Sequence, residues 1–144
     1  MPAAFPHRFD VDLAWQGDER CTLAAPPRPP IVGGAPPEFD GKPDWWSPEH
    51  LLLASLALCM QGTFVVFAKR AELNASSYKT RVSGVLEKGT AGIVWTSITL
   101  TVDVTVPLAD VERTREILAK SKKYCIIANS LKAETTLVAN VNAG

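Results

Sequence analysis

The feature that most constrains the fold is a long apolar segment in the middle of the chain, which follows a strong helix start. Ser47-Pro48-Glu49 supplies an N-cap hydroxyl, a proline suited to the first helical position and a carboxylate at the positive end of the helix dipole. The run from Leu51 to Met60 is apolar nearly all round, which is typical of a helix enclosed on several sides. We therefore predict a central buried helix that extends to about Leu73.

The overall composition argues against several classes of partner. The chain has 144 residues, of which 47% are hydrophobic and 21% charged, and this suits a single soluble domain over residues 1–144. Its 15 basic residues balance its 15 acidic ones, so no basic excess calls for nucleic acid or an anionic membrane. Ser55 and Gln61 interrupt the apolar run, which falls short of the roughly 18 apolar residues of a membrane span. We expect neither nucleic acid nor a membrane as a partner.

The cysteines and the N-terminal segment indicate a reducing compartment. Three cysteines form an odd and sparse set, unlike a secreted disulfide scaffold. The first residues lack the basic and then apolar pattern of a signal peptide. The histidines and cysteines show no metal-ligand spacing, and no glycine-rich phosphate loop follows a strand. We expect a cytoplasmic protein with no metal and no bound cofactor.

Strand and helix periodicities surround the central helix. Apolar residues alternate in the predicted strands, and a less polar stripe marks an amphipathic helix after Pro107. The predicted elements besides the central helix are strands over 8–15, 20–24, 77–87, 93–106 and 134–141 and helices over 108–122 and 124–131. Between the first hairpin and the central helix, residues 25–48 are rich in proline and glycine, which excludes regular structure beyond a short edge strand. This order predicts an α+β fold.

Two cysteines decide between an inert protein and a redox enzyme. Cys59 lies deep in the central helix, and Cys125 begins a short predicted helix, where the helix N-terminus and Lys122-Lys123 are expected to favour its thiolate. Free cysteine is among the most buried residue types, so each thiol can be packed core, as is expected for Cys21 on its strand. If Cys59 and Cys125 meet, one can resolve a sulfenic acid formed on the other. The residues by themselves leave both interpretations open.

A reactive Cys59 requires a neighbour that stabilises its thiolate. The helix start is too distant, and Glu49, ten positions earlier, lies roughly 15 Å away along the axis. An arginine that pairs with Glu49 and also reaches Cys59 would bridge that gap. The candidates are Arg20 in the first hairpin and Arg28 in the proline-rich segment, and we favour Arg20.

These motifs resemble those of a known family. The segment Pro48-Glu49-His50-Leu51-Leu52-Leu53-Ala54, with Cys59 ten positions after the glutamate, is similar to the central helix of the OsmC/Ohr family of bacterial hydroperoxide-detoxifying proteins. Gly33-Gly34 and Lys123-Tyr124-Cys125 fit the same pattern, and the resemblance extends from Trp15 to the terminal strand. The Lys-Tyr-Cys sequence is closer to the OsmC-like members than to the peroxidase branch, which usually has proline after the second cysteine.

The resemblance implies a fold, an assembly and a mechanism. The fold would be a strongly curved antiparallel sheet wrapped around long central helices, in an intertwined homodimer. Cys59 would be the peroxidatic thiol and Cys125 the resolving thiol, while Glu49 would pair with an arginine, assigned here to Arg20, that stabilises the Cys59 thiolate. The implied activity is reduction of organic hydroperoxides under oxidative stress. An external dithiol, in the hydroperoxide-resistance branch a lipoylated protein, would reduce the resulting disulfide.

Two other functions stay open at this point. The first is a non-enzymatic protein that holds a small hydrophobic ligand in an apolar cleft, with Trp45 and Trp46 at its mouth. The second is a hotdog-like thioesterase, which also wraps a sheet around one central helix. The hairpin before the central helix and the second amphipathic helix fit the thioesterase fold less well.

Overall fold

The computed structural model describes residues 4–144 and confirms the predicted α+β fold class. The strands are β1 Asp12–Trp15, β2 Cys21–Ala24, β3 Ile31–Gly33, β4 Ser77–Gly89, β5 Gly92–Val106 and β6 Thr135–Ala143. The helices are α1 Pro48–Arg70, α2 Val111–Lys123 and α3 Ile126–Ser130, with short 3-10 turns at Pro37–Phe39 and Leu108–Asp110. The chain divides after Leu51 into two compact units. The prediction of one domain over residues 1–144 stays a prediction.

The N-terminal unit contains a three-stranded antiparallel sheet in the order β1-β2-β3. Strand β3 is the short edge strand expected in the proline-rich segment. Glycine is required where this segment passes close to its neighbours: a Cβ on Gly34 would lie 2.7 Å from the Trp45 ring and 2.9 Å from the Glu19 carbonyl. Gly33 also forms an isolated parallel bridge with Trp46, which ties β3 to the chain that enters α1.

Strand β1 differs from its prediction as a half-buried strand. Leu13 and Trp15 are 62% and 70% exposed, and Phe9 and Val11, which precede the observed strand, are exposed as well. The sequence therefore does alternate, but no other part of residues 4–144 buries most of the apolar side of this strand.

The C-terminal unit contains a second three-stranded sheet in the order β4-β5-β6. Strands β4 and β5 form the predicted hairpin, in which Gly92 adopts a φ of 109° at the turn. Strand β6 pairs with β5 in parallel, so this sheet is mixed rather than wholly antiparallel. The physical reason is the connection through α2 and α3, which returns the chain to the end from which β5 started.

The core of the C-terminal unit lies between α1, α2 and one face of the sheet. Helix α1 contributes a stripe at four-residue spacing, and β5 contributes alternate residues. The buried hydrophobic members are Leu56, Met60, Phe64, Ala68, Leu73, Ile98, Leu100, Val102, Val104, Val106, Ile117, Leu118, Cys125, Ala128 and Val141. The sheet and α1 meet where the Phe64 and Tyr78 rings pack with centroids 5.0 Å apart.

Helix α1 is more apolar than this one stripe requires. Leu58 is 73% exposed, and Val66 on the same side is also exposed. By length and composition the helix could cross a membrane, because an 18-residue window has a mean hydropathy of 2.1. This is weak evidence for a membrane, since the core helix of a soluble protein has the same character. The apolar run is still interrupted at Ser55 and Gln61, so the expectation of no membrane partner stays a prediction.

Candidate active site

The C-terminal unit brings Cys59 and Cys125 together in its core. Cys59 lies in the middle of α1 and is half-buried, whereas Cys125 immediately precedes α3 and is fully buried. Both pack in the same hydrophobic cluster, and both are free thiols, as is Cys21 in β2. The accessible thiol of the pair is therefore Cys59.

The environment of Cys125 favours a neutral thiol. Burial raises the pKa of Cys125, and the adjacent Cys59 thiol raises it further through a side-chain interaction and like charge. The backbone N–H groups of Ala128 and Ile127 oppose this rise without cancelling it. These two donors at the start of α3 agree with the expectation that the helix N-terminus gives the Cys125 thiolate some stabilisation, but loss of solvent outweighs them. The expected contribution of Lys122 and Lys123 stays a prediction.

The start of α1 forms as the sequence predicts. The Ser47 hydroxyl accepts a hydrogen bond from the His50 backbone N–H at 3.1 Å and lies 2.6 Å from His50 Nδ1. Pro48 occupies the first helical position, and Glu49 follows it. Glu49 Oε2 is buried and accepts no hydrogen bond from any residue that the structure describes. Burial of a carboxylate oxygen without a hydrogen-bond donor costs free energy, so we expect a cationic side chain to pair with this atom.

Neither candidate arginine contacts Glu49 in the N-terminal unit. Arg20 pairs with Asp18 at 2.9 Å, and its donors hold the pKa of Asp18 below its ordinary value. Arg28 instead donates from Nη1 to the Ala25 carbonyl at 3.4 Å. Over residues 4–144, the structure thus pairs Arg20 with Asp18 and not with Glu49, and the activating role of Arg20 stays a prediction.

Two buried hydroxyls lie on β4, one of them on Tyr78, which packs against the core that holds the two thiols, and the sequence did not mark them. Tyr78 Oη and Thr80 Oγ1, on the same face of β4, are buried without a hydrogen-bond partner among the described residues. Burial raises the pKa of Tyr78, the Thr80 hydroxyl partly offsets the rise, and the negative charge of a Cys125 thiolate adds to it. The available signal was two hydroxyls at alternate positions on a strand face that is otherwise apolar.

Lysines of α2 contact aromatic rings of α1 and of the segment before Cys125. Lys120 Nζ lies 4.5 Å from the centroid of the Phe67 ring, which packs 5.7 Å from the Tyr124 ring. Lys123 lies 5.9 Å from the Tyr124 ring. Lys120 and Lys123 thus form cation–π contacts with aromatic rings.

The N-terminal unit contains a separate apolar cavity of about 440 Å³. Its wall includes Leu13, Leu23, Trp46 and Leu51, together with Cys21. Of the predicted tryptophan pair, Trp46 lines this cavity, whereas Trp45 packs on Gly34. Among residues 4–144, no group of three or more histidine, cysteine or acidic side chains could hold a metal ion.

Comparisons with known proteins agree with this architecture. A family model described as "OsmC-like protein" matches residues 41–140. The curated protein Peroxiredoxin OsmC of Escherichia coli is 33% identical over 91 residues, which are 63% of this chain and 64% of that protein. The chain therefore aligns with less than two thirds of the length of this relative.

Solved structures resemble nearly the whole chain. An OsmC-like protein of unknown function from Vibrio cholerae superposes with a TM-score of 0.83 at 19% identity, covering 93% of this chain and 99% of that one. An organic hydroperoxide resistance protein from Elizabethkingia anophelis gives a TM-score of 0.74 at 12% identity, with coverage of 97% and 100%. At these identities the likeness establishes the fold.

Proposed function

Since the chain belongs to the OsmC family, we propose that it is a thiol-dependent peroxidase that reduces organic hydroperoxides. The observation that carries the proposal is the half-buried Cys59 beside the fully buried Cys125 in one core. An accessible thiol with an enclosed thiol next to it suits the division between a peroxide-reactive and a resolving cysteine. The similarity to a protein named peroxiredoxin supports the same class of reaction.

The proposed reaction uses the two thiols in sequence. The Cys59 thiolate attacks the outer oxygen of the hydroperoxide, so that the O–O bond breaks, an S–O bond forms and the alkoxide takes a proton to leave as an alcohol. Cys125 then attacks the Cys59 sulfenic acid, forming the disulfide and releasing water. An external dithiol, in our proposal a lipoylated protein, returns both cysteines to thiols by exchange.

Activation of Cys59 is assigned to Glu49 and an arginine, with Arg20 as the proposed residue. The orphaned Glu49 Oε2 provides the reason for a guanidinium partner. The present pair of Arg20 with Asp18 is half-exposed and therefore weak, so Arg20 can exchange partners at little cost. In this proposal Arg20 leaves Asp18 when substrate or a second subunit binds. Its guanidinium then pairs with Glu49 and stabilises the Cys59 thiolate.

We further propose a cytoplasmic homodimer that has no nucleic acid or membrane partner. The exposed apolar sides of β1 and α1 support this assembly, because large uncovered apolar surfaces are unusual on monomers. A second copy that covers both surfaces would explain why a helix that is apolar nearly all round buries only one stripe in its own chain.

Stopped-flow measurements with cumene hydroperoxide test the proposed activity. The reduced protein should consume about one equivalent of peroxide in a single turnover, and Cys59→Ser should abolish this. Cys125→Ser should retain the first turnover and accumulate a sulfenic acid that dimedone traps. Unchanged consumption in Cys59→Ser, or none in the natural protein, would refute the proposal. Cys21→Ser is the matched control and should behave as the natural protein.

The cavity of the N-terminal unit supports a second candidate function, which is binding of a small acyl or aromatic ligand. A volume of about 440 Å³ with a mostly apolar wall suits such a ligand, and Trp46 would report its entry. Titration with a medium-chain fatty acid should change the tryptophan fluorescence, and Trp46→Phe should remove most of the change. A flat response would reject this function, whereas Trp45→Phe should preserve the response.

A further inference from the structure

A cluster of cations and aromatic rings lies where the last turn of α1 contacts the last turn of α2. Lys120 Nζ and Arg70 Cζ both lie over the Phe67 ring, at 4.5 Å and 5.9 Å from its centroid. The Phe67 ring packs on the Tyr124 ring, over which Lys123 Nζ lies at 5.9 Å. Cation–π contacts thus join these five residues into one basic–aromatic surface.

The positive charge of this surface is not neutralised within the described chain. The ion pairs found between residues 4–144 are made by Arg20, Arg113 and Arg115, and by none of the three cations of the surface. Between Glu116 and Glu134 the sequence contains four lysines and no acidic residue. The whole chain is neutral, so this end of the C-terminal unit carries a local excess of positive charge.

The basic–aromatic surface is accessible to a partner. Arg70, Lys120 and Lys123 are exposed, and Tyr124 is 54% exposed. Tyrosine and arginine are enriched in protein interfaces, and exposed cations around such a site attract an oppositely charged partner. Three exposed cations are few for nucleic acid, whose affinity comes from many phosphate contacts. The chemistry therefore fits a protein with an acidic surface.

The elements that form this surface also carry the two thiols. Tyr124 precedes Cys125 in the chain, and the Cys125 backbone N–H donates to the Lys122 carbonyl at 3.2 Å. Phe67 lies on α1, as does Cys59, and both pack against the core cluster to which Cys125 belongs. A protein docked on the basic–aromatic surface thus contacts α1 and the segment that holds Cys125.

The basic–aromatic surface and the proposed dimer face lie on different sides of α1. Phe67 follows Leu58 by nine residues, which at about 100° per residue places it roughly 180° round the helix. Phe67 follows Cys59 by eight residues, so it lies roughly 12 Å further along the axis and about 80° round from it. A partner on this surface therefore does not compete with a second subunit at Leu58.

We propose that the basic–aromatic surface docks the acidic face of the dithiol carrier protein that reduces the disulfide between Cys59 and Cys125. This inference rests on the proposed peroxidase function and names the kind of partner that its last step uses. A lipoyl group on a long, flexible lysine side chain of the docked carrier can then reach the half-buried Cys59 rather than the fully buried Cys125.

Reduction of the disulfide proceeds by two thiol exchanges. A carrier thiolate attacks the Cys59 sulfur, the S–S bond breaks, and Cys125 leaves as a thiolate that takes up the proton lost by the carrier thiol. The second carrier thiol attacks the mixed disulfide and releases Cys59 as a thiol. The carrier is oxidised to its own disulfide while both cysteines are reduced.

Binding and reduction are measured separately with the full chain at about 50 mM salt. The probe is a labelled lipoylated domain of net negative charge in its dithiol form. Fluorescence anisotropy gives its affinity, and loss of lipoyl thiols reports reduction of a disulfide preformed with diamide. Lys120→Glu and Arg70→Glu should each weaken binding and slow reduction roughly 10-fold. The differences should shrink at about 0.5 M salt, because screening weakens the attraction between exposed charges.

Lys88→Glu is the matched control, because it makes the same change in net charge at the exposed end of β4. It should bind the lipoylated domain as the natural protein does. Dithiothreitol, a small neutral dithiol that needs no docking surface, should reduce the disulfide of every variant at the same rate. A slower reaction of Lys120→Glu with dithiothreitol would show a structural defect and overturn its use as evidence for docking.

The outcomes separate this inference from the proposed peroxidase activity. Equal affinity of Lys120→Glu, Arg70→Glu and the natural protein for the lipoylated domain would overturn the docking surface. Binding to phosphatidylglycerol vesicles or to a short DNA duplex, without binding to the domain, would overturn it as well. Charge-dependent binding of the domain by a protein that consumes no cumene hydroperoxide would refute the peroxidase and leave the docking surface standing.

Discussion

The two three-stranded sheets of this protein bury their apolar residues to very different extents. In the β4-β5-β6 sheet, alternate residues of β5 are covered by α1 and α2, and Leu100 is fully buried. In the β1-β2-β3 sheet, Leu13 and Trp15 are mostly exposed although their strand alternates equally well. Periodicity thus specifies which side of a strand is apolar. Whether that side is buried depends on which other elements of the chain, or which second subunit, pack against it.

The sharpest test of this contrast is truncation of one leucine in each sheet. Leu100→Ala should lower the free energy of unfolding by about 2–5 kcal/mol, because it leaves a cavity in a closed core. Leu13→Ala should cost roughly 0.5 kcal/mol or less in the separate subunit, since its side chain is exposed. Urea unfolding at one low protein concentration measures both. Equal losses would mean that the two sheets do not differ as described.

The exposed side of α1 gives the next largest effect. Leu58→Asp places a charge on a surface that the proposed homodimer would cover, and it should weaken association by about 3 kcal/mol, or roughly 100-fold. Analytical ultracentrifugation over a dilution series measures the dissociation constant. Thr90→Asp, in the exposed β4–β5 turn, is the matched control and should not alter it. A Leu58→Asp protein that associates normally would remove α1 from the proposed interface.

The closed core of the C-terminal unit should also make stability depend on pH. Burial raises the pKa of Cys125 and of Tyr78, so the folded protein retains protons that the unfolded chain releases. Stability is therefore full below the unfolded thiol value of about 8.5 and falls as the pH rises further. Thermal unfolding of the reduced protein from pH 7 to pH 10.5 should show this fall. Cys125→Ala should flatten it, Cys21→Ala should not, and a steeper fall in Cys125→Ala would contradict the assignment.

The smallest effect is expected for the hydroxyl of Tyr78. Because Tyr78 Oη has no partner in the described structure, Tyr78→Phe should leave stability unchanged or raise it by up to about 1 kcal/mol. Chemical denaturation of the reduced protein measures this. A loss of stability above about 1 kcal/mol would show that the phenol makes a stabilising hydrogen bond.

Much of the fold was predictable because its signals are local. Ser47 and Pro48 set the start of α1, and alternation located β4 and β5 closely. The parallel pairing of β6 was not predictable in this way, because strand direction depends on the connection through two helices. The uncovered side of β1 was missed for a related reason, since alternation carries no information about the covering partner.

The candidate site was predictable only in part. The resemblance supplied Cys59 and Cys125 as a pair, and the structure places both in one core. The spacing of residues along the chain could not predict which arginine pairs with Glu49. In the structure, Arg20 forms its ion pair with Asp18. Tyr78 and Thr80 carried only a weak signal, because a hydroxyl on a strand is ordinary until its burial and its neighbours are known.

The sequence by itself determined the helix that carries Cys59, the family and the residues that can act as thiols. These follow from capping, from periodicity and from short motifs, all of which are read along the chain. Only the tertiary structure decided that Cys125 is enclosed, which raises its pKa, and that the Tyr78 hydroxyl is buried in the same core. The physical reason is that solvent exclusion and proton affinity depend on atoms brought together from α1, β4 and the start of α3, which are distant in sequence.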